Sequence, residues 1–248
     1  MPVRILVLAI LLAVFAAPAA QARPSARALL AGCERSLDEA DRAAVFQGQM
    51  RSVPGASRMQ MRFTLQARTP ERDRWAALDA PGFGTWLSSA PGTSRYVYTK
   101  RVENLLAPAS YRVSLRFRWL DAGGAVVVRA RDFSRACRQP DPRADLVVSS
   151  VGVQPAADPA RRRYVAFVRN TGRTAAEPSS LALTVDGVLL PAATVLALEP
   201  GEGALVSVEG PACRAGAPLV AVADADESVD ESDEADNRLT RSCPPASA

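Results

Sequence analysis

The chain has 248 residues, no histidine, and a single lysine, Lys100, against 29 arginines, with a net charge of +4. Without histidine there is no Ser-His-Asp or Cys-His catalytic arrangement, no histidine metal ligand and no imidazole acid–base group, and arginine is a poor general base because it does not usefully deprotonate. The net charge hides a split: residues 23–143 carry 21 basic and 11 acidic side chains, whereas residues 144–248 carry 8 basic and 15 acidic.

The basic half favours anionic surfaces such as wall polymers, acidic glycans or lipid headgroups, unless its arginines are simply a solvated surface. At the N-terminus, Arg4 precedes an apolar run over residues 5–17, Pro18 breaks it, and Ala20-Gln21-Ala22 has the form of a cleavage site. This predicts a signal peptide over residues 1–22 and a secreted or cell-surface protein. The run is too short to span a bilayer, which needs roughly 20 residues, so no stable membrane insertion is expected. Leu30-Ala31-Gly32-Cys33 resembles a lipidation motif, but Arg23, Pro24, Ser25 and Arg27 separate it from the apolar run.

Lipidation of Cys33 would also leave an odd number of cysteines, whereas four cysteines in an exported chain read as two disulfides. Three pairings are possible. Cys33–Cys137 and Cys213–Cys243 are expected, because each then closes within one domain. The absence of a C-x-x-C pair speaks against a zinc or redox motif.

About 225 residues remain after the leader, which suits two domains of about 100 residues each. The expected boundaries are 33–138 and 145–243, joined by a proline-containing linker over 139–144. Along the first half, Ser36 and Glu39 have capping-box spacing, and Leu37, Ala40 and Ala44 fit one helix face, predicting one or two helical turns. Met59, Met61, Phe63, Leu65 and Ala67 alternate with Gln60, Arg62, Thr64 and Gln66, which is the period of a half-buried strand. Residues 96–102 form another predicted strand. Tyr111, Val113, Leu115, Phe117 and Trp119 then alternate with Arg112, Ser114, Arg116 and Arg118, and Asp121-Ala122-Gly123-Gly124 turns the chain into Val126-Val127-Val128 as a hairpin. Trp119 falls on the inward face and reads as core. Trp75 and Trp86 stand near loop sequences, where core packing is the favoured reading and a sugar-stacking platform the other. Leu105-Leu106-Ala107-Pro108-Ala109-Ser110-Tyr111 resembles the tyrosine-bearing turn of fibronectin type III domains, with Pro108 one residue nearer the tyrosine than usual.

In the second half, strands are expected at residues 145–148, 163–168, 181–185, 204–208 and 219–223, with turn signals between them. Five marks stand in order. Asp145-Leu146-Val147 opens the stretch. Asn170 and Gly172 follow Val168, then come Val185-Asp186-Gly187 and Pro200-Gly201-Glu202. Asp224-Ala225-Asp226 with residues 231–237 completes the set. Together these resemble the CARDB family, the cell-adhesion-related domain of bacteria, although Asp236 stands where the family often has asparagine. The resemblance implies an immunoglobulin-like or fibronectin-like sandwich and an extracellular accessory module. The expected fold class is therefore all-β, two tandem immunoglobulin/fibronectin-like β-sandwich domains.

The segment from Asp224 to Asp236 carries eight carboxylates. Asp224, Asp226, Asp230 and Glu231 are the best candidates for a calcium site, since calcium prefers clustered oxygen ligands. The same carboxylates also suit a solvated loop whose side chains accept backbone N–H bonds. No pair of acids is set apart as glycoside hydrolysis would need. Arg161-Arg162-Arg163 is a local basic run, read as a charged strand entry or a contact for phosphate or acidic glycan. The sequence thus predicts no catalytic residue and no required cofactor. Its expected partner is a cell-envelope polymer or an extracellular protein, with no nucleic acid. The leading function is an adhesion or binding module whose basic first domain contacts anionic envelope or glycan polymers; the alternative is a structural spacer or protein-assembly module with no glycan ligand.

Overall fold

The structure, a computed structural model, describes residues 25–245. The leader expected over residues 1–22 lies outside the described residues. The first half is built from β1 (Ala26–Glu34), β2 (Ala43–Arg51), β3 (Arg58–Arg68), β4 (Ala76–Ala77), β5 (Trp86–Ser88), β6 (Arg95–Glu103), β7 (Ala109–Leu120), β8 (Val126–Phe133) and β9 (Cys137–Gln139). One sheet has the order β1-β2-β6. The facing sheet runs β4-β3-β7-β8, with β5 also paired to β3 and β9 to β7. All pairings within these sheets are antiparallel.

The alternation read from the sequence decides which face is buried. Met59, Met61, Phe63 and Leu65 of β3 and Val113, Leu115, Phe117 and Trp119 of β7 are buried, together with Phe46 and Met50 of β2. Gly48 lets the two sheets approach: a Cβ there would lie 2.5 Å from a Leu115 methyl and 2.6 Å from the Met61 sulfur. Trp119 donates its indole N–H to the Arg51 carbonyl at 2.7 Å, so its one polar atom is satisfied inside the core. The Tyr111 hydroxyl donates to the Leu106 carbonyl at 2.9 Å. That bond ties the start of β7 to the turn before it, as the fibronectin-like resemblance implied.

Three expectations are corrected here. The helix expected after Ser36 is a single 3-10 turn, Glu39–Asp41, and Asp38 caps it by accepting from the Ala40 N–H. The reason is Arg42, which is buried and donates to the carbonyls of Ser36, Leu37 and Leu105, fixing the chain as a loop before Ala43 and Ala44 enter β2. Strand β1 begins at Ala26, ahead of the boundary expected at residue 33. It contains the lipidation-like residues Leu30 to Cys33, and Cys33 is bonded to Cys137 of β9 with a Cα–Cα distance of 5.4 Å. Gln139, assigned to the linker, is buried in β9 and paired with Ala109.

The second half comprises β10 (Leu146–Pro155), β11 (Arg161–Asn170), β12 (Ser179–Val185), β13 (Val188–Leu189), β14 (Ala193–Val195), β15 (Gly203–Pro211), β16 (Pro218–Ala223) and β17 (Arg238–Ser242). Its sheets run β10-β11-β15 and β13-β12-β16-β17, with β14 paired to β12. Among the described residues no sheet takes strands from both halves. Leu146, Val148, Tyr164, Val168, Leu181, Leu183 and Leu219 fill the core between them. Cys213 is bonded to Cys243, with Cα atoms 6.2 Å apart.

The residues that marked the family resemblance hold the corners of this sandwich. Asn170 donates to the carbonyls of Thr174 and Leu198 and accepts from the N–H groups of Asp145 and Gly172, so one buried amide ties its own turn to two other chain segments. Gly172 lies against the backbone of Ala144, which a Cβ would meet at 2.5 Å. Asp186 and Gly187 both have positive φ, 49° and 82°, which is what the two-residue hairpin between β12 and β13 requires.

Candidate binding face

The outward face of the β3-β7-β8 sheet follows from the same alternation that fills the core. With Met61, Phe117 and their neighbours inward, Arg62, Arg112, Arg116 and Arg118 point outward, and the pairing adds Arg129 and Arg131 from β8. The register sets them in rows. Trp86, Arg62, Arg116 and Arg131 lie directly across from one another on β5, β3, β7 and β8. Ser88, Gln60, Arg118 and Arg129 form the adjacent row on the same four strands.

Flat rings and amide oxygens hold these guanidinium groups. Arg118 lies 4.0 Å from the Trp86 ring centroid and Arg62 lies 5.3 Å from it. Arg112 sits 4.1 Å from Trp75 and 4.5 Å from Phe133, and Arg131 is 4.7 Å from Phe133. Such contacts contribute about 0.5–1 kcal/mol each at exposed sites. The Nε atoms of Arg118, Arg112 and Arg131 donate to Gln60, Gln66 and Ser114 at 2.5, 3.0 and 3.0 Å. The terminal nitrogens of these side chains therefore keep their donors. Buried Arg62 Nε has no hydrogen-bond partner. Burial, with the positive charges of Arg131 and Arg68, holds the Arg112 guanidinium below its ordinary pKa.

Among the described residues the ion pairs involve Arg68, Arg101, Arg143, Arg163 and Arg214, and none of the six arginines on this face. A groove of about 470 Å³ runs beside Trp86, lined by Arg116, Arg118, Arg129 and Arg131. Trp75 and Trp86 are half-exposed, which corrects the expectation that they pack in the core. They are not an open sugar platform either, because guanidinium groups stand over their rings. Arg112, Arg116 and Arg118 were legible as outward residues of one strand. Arg129 and Arg131 were missed, although the alternation from Val127 through Phe133 carried the signal.

The acidic segment has a different organisation. Asp224 is buried and accepts from the N–H and hydroxyl of Ser228 and the N–H of Val229 at 2.9–3.1 Å. Asp226 accepts from the N–H and hydroxyl of Ser180. Asp230 pairs with Arg143 at 2.6 Å. Glu231, 1% exposed, accepts from the Leu146 N–H and the Asn237 amide, and burial pushes its carboxyl up to about 7, with Glu234 and Asp224 adding to the rise. Each of the four proposed calcium ligands is thus directed to a protein partner. Among the described residues no group of three His, Cys, Asp or Glu side chains is placed to hold a metal ion. The Arg161-Arg162-Arg163 run enters β11, where Arg163 pairs with Glu209 at 3.3 Å and Arg161 donates to the Glu209 carbonyl.

Fold and face together describe an all-β protein of two disulfide-braced sandwiches, the first carrying an unneutralised arginine surface. Residues 143–241 match the CARDB family model, and the second sandwich is a CARDB domain. The CARDB domain of a Pyrococcus furiosus protein, solved in complex with di-metal ions, is 20% identical with a TM-score of 0.35, covering 42% of this chain and 90% of that one. A domain of a Methanosarcina acetivorans protein, assigned to the cell surface by name, is 22% identical with a TM-score of 0.37, covering 43% of this chain and 95% of that one. The exo-chitosanase of Amycolatopsis orientalis is 13% identical with a TM-score of 0.27, covering 86% of this chain and 26% of that one. A search of curated proteins finds no match. No helix among the described residues is long and apolar enough to cross a membrane.

Proposed function

We propose that the protein is a secreted or cell-surface, non-enzymatic binding module that holds anionic envelope or glycan polymers on the arginine face of its first domain. The CARDB domain serves as spacer or second contact. One observation carries this reading: six outward arginines on three adjacent strands, four of them set against aromatic rings and none in an ion pair among the described residues. Like charges directly opposite on a sheet destabilise it, so a fold that retains such rows gains by meeting an external anion. The adhesion-related family of the second domain is in keeping with this role.

Retention of the chain on purified cell envelopes at low and high salt tests the reading. Salt-sensitive retention, lost in an Arg112→Gln, Arg116→Gln, Arg129→Gln variant, is the expected result. No retention at low salt would defeat it. A second reading, protein assembly through the CARDB domain, rests on the β12–β13 hairpin, whose Val188 and Leu189 are 51% and 69% exposed. A single cross-linked protein partner, abolished by Leu189→Asp, would favour that reading.

A further inference from the structure

The groove beside Trp86 has a chemistry of its own. Four arginines line it from two neighbouring strands: Arg116 and Arg118 from β7, and Arg129 and Arg131 from β8, with Arg62 of β3 directly across from Arg116 in the next position of the row. Neighbouring strands lie about 4.8 Å apart, so these four side chains border one groove of about 470 Å³, room for an anionic ester and part of the chain that bears it. Arg118 and Arg131 are fixed by stacking on rings and by Nε bonds to Gln60 and Ser114. Arg116 and Arg129 are exposed, and among the described residues neither has an ion pair or a side-chain hydrogen bond. The groove therefore combines pre-set guanidinium groups with free ones.

We propose that this groove is a subsite for a tetrahedral oxyanion ester, phosphate or sulfate, carried on an extended polysaccharide. The assignment rests on the polymer-binding reading above and narrows it to one chemical group. A carboxylate presents two coplanar oxygens and one negative charge, which a single guanidinium fork satisfies. A phosphate or sulfate ester presents several oxygens in a tetrahedron, and a phosphate monoester carries up to about two negative charges. Such a group is served by several guanidinium groups at once, and four line this groove side by side on one sheet face. A polysaccharide fits better than a lipid surface because the rows lie on a sheet face suited to an extended chain. Phe133 beside them, 40% exposed, carries the guanidinium groups of Arg112 and Arg131 at 4.5 and 4.7 Å from its ring centroid, so a bilayer approaching this ring would meet two charges with it. The two tryptophans act as props for guanidinium groups, so recognition runs through charge and donor geometry rather than through the sugar ring.

The test uses one polymer backbone with different anions. The full chain is passed over phosphocellulose, cellulose sulfate, carboxymethylcellulose and unmodified cellulose, with the anionic matrices matched in charge density, and eluted with salt. Anionic phospholipid vesicles form a parallel arm. The expected result is retention on phosphocellulose or cellulose sulfate to higher salt than on carboxymethylcellulose, and the difference between the two ester matrices names the ester. An Arg116→Gln, Arg129→Gln variant should lose about tenfold in affinity for the preferred ester matrix, the scale of one charge-assisted contact pair. An Arg116→Lys, Arg129→Lys variant keeps the charge and loses the planar fork, so it should still bind but without preference for the ester. Equal retention on carboxymethylcellulose and both ester matrices, or lysine variants as selective as the parent, would overturn the ester assignment and leave polymer binding standing. Retention on no anionic matrix would sink both readings. Binding to vesicles alone would overturn the polysaccharide assignment.

Discussion

Arg116 of β7 stands directly opposite Arg131 of β8, and no carboxylate forms an ion pair with either among the described residues. On its other flank Arg116 is opposite Arg62 of β3. Three positive side chains in one row across three strands oppose folding electrostatically, while the rings of Trp86 and Phe133 and the Ser114 hydroxyl offset part of the cost.

Relieving that repulsion should stabilise the protein while weakening it as a binder. Arg116→Thr places a good strand residue between the two remaining arginines and is expected to raise stability by roughly 0.2–1 kcal/mol. Urea denaturation at low and high salt measures this. The gain should shrink as salt rises, because screening already relieves the parent. A loss of stability at low salt would show that the row is not repulsive.

Glu231 makes the second domain sensitive to pH. Its carboxyl is pushed up to about 7, from an ordinary 4.5, chiefly by burial. The folded state therefore holds a proton that the unfolded chain releases at lower pH. This contribution is fully present below pH 4.5 and is lost as pH rises to about 7, amounting to roughly 3 kcal/mol at most. Glu231→Gln should flatten the decline in melting temperature across that window. A variant whose profile keeps the parental slope would assign the dependence to another group.

The two disulfides should differ in worth. Cys33–Cys137 closes a separation of 104 residues and Cys213–Cys243 one of 30. In the loop-entropy account the longer bridge contributes about 4.8 kcal/mol and the shorter about 3.7. Paired Cys→Ala variants in denaturant should show the larger loss for the first bridge. Peptide mapping of the unreduced protein should recover a 33–137 fragment and no 33–213 fragment.

Gly172 offers a steric test. A methyl group at this position would meet the Ala144 backbone at 2.5–2.6 Å, and backbone yields little. Gly172→Ala is expected to cost about 1–3 kcal/mol. Gly152→Ala in β10, where a Cβ meets nothing within 4 Å, should be near neutral and serves as the control.

The strands that sequence reasoning found are those with one dry and one wet face. In β3 and β7, Met61 and Phe117 alternate with Arg62 and Arg118 over nine or more residues, and period 2 is unmistakable at that length. β1 escaped because neither face is fully buried: it is an edge strand with a register shift between Leu30 and Gly32 that breaks the alternation. β2 was partly read as helix because Ala43, Ala44 and Gly48 are too small to mark a face, although Ala44 and Phe46 are buried. The outward arginines of β7 were visible one strand at a time. Their assembly into rows was not, since it depends on the β3-β7-β8 register. The fates of Trp75 and Trp86 were equally hidden, because cross-strand neighbours rather than local pattern decide whether a guanidinium lies over the ring.

The Cys33–Cys137 bond joins β1, where the chain enters the first sandwich, to β9, where it leaves. A pulling force applied to the chain on either side of this domain would strip the first residues of β1 and then reach a covalent link. Beyond that point the load bypasses β2 through β8, and the sheet bearing the arginine rows stays folded. In the second sandwich the bond between Cys213 and Cys243 shields only the last two strands of its sheet. Under tension the strands from β10 to β15 lie in the loaded path, so the second domain lengthens as an extensible strap while the arginine-bearing domain keeps its shape.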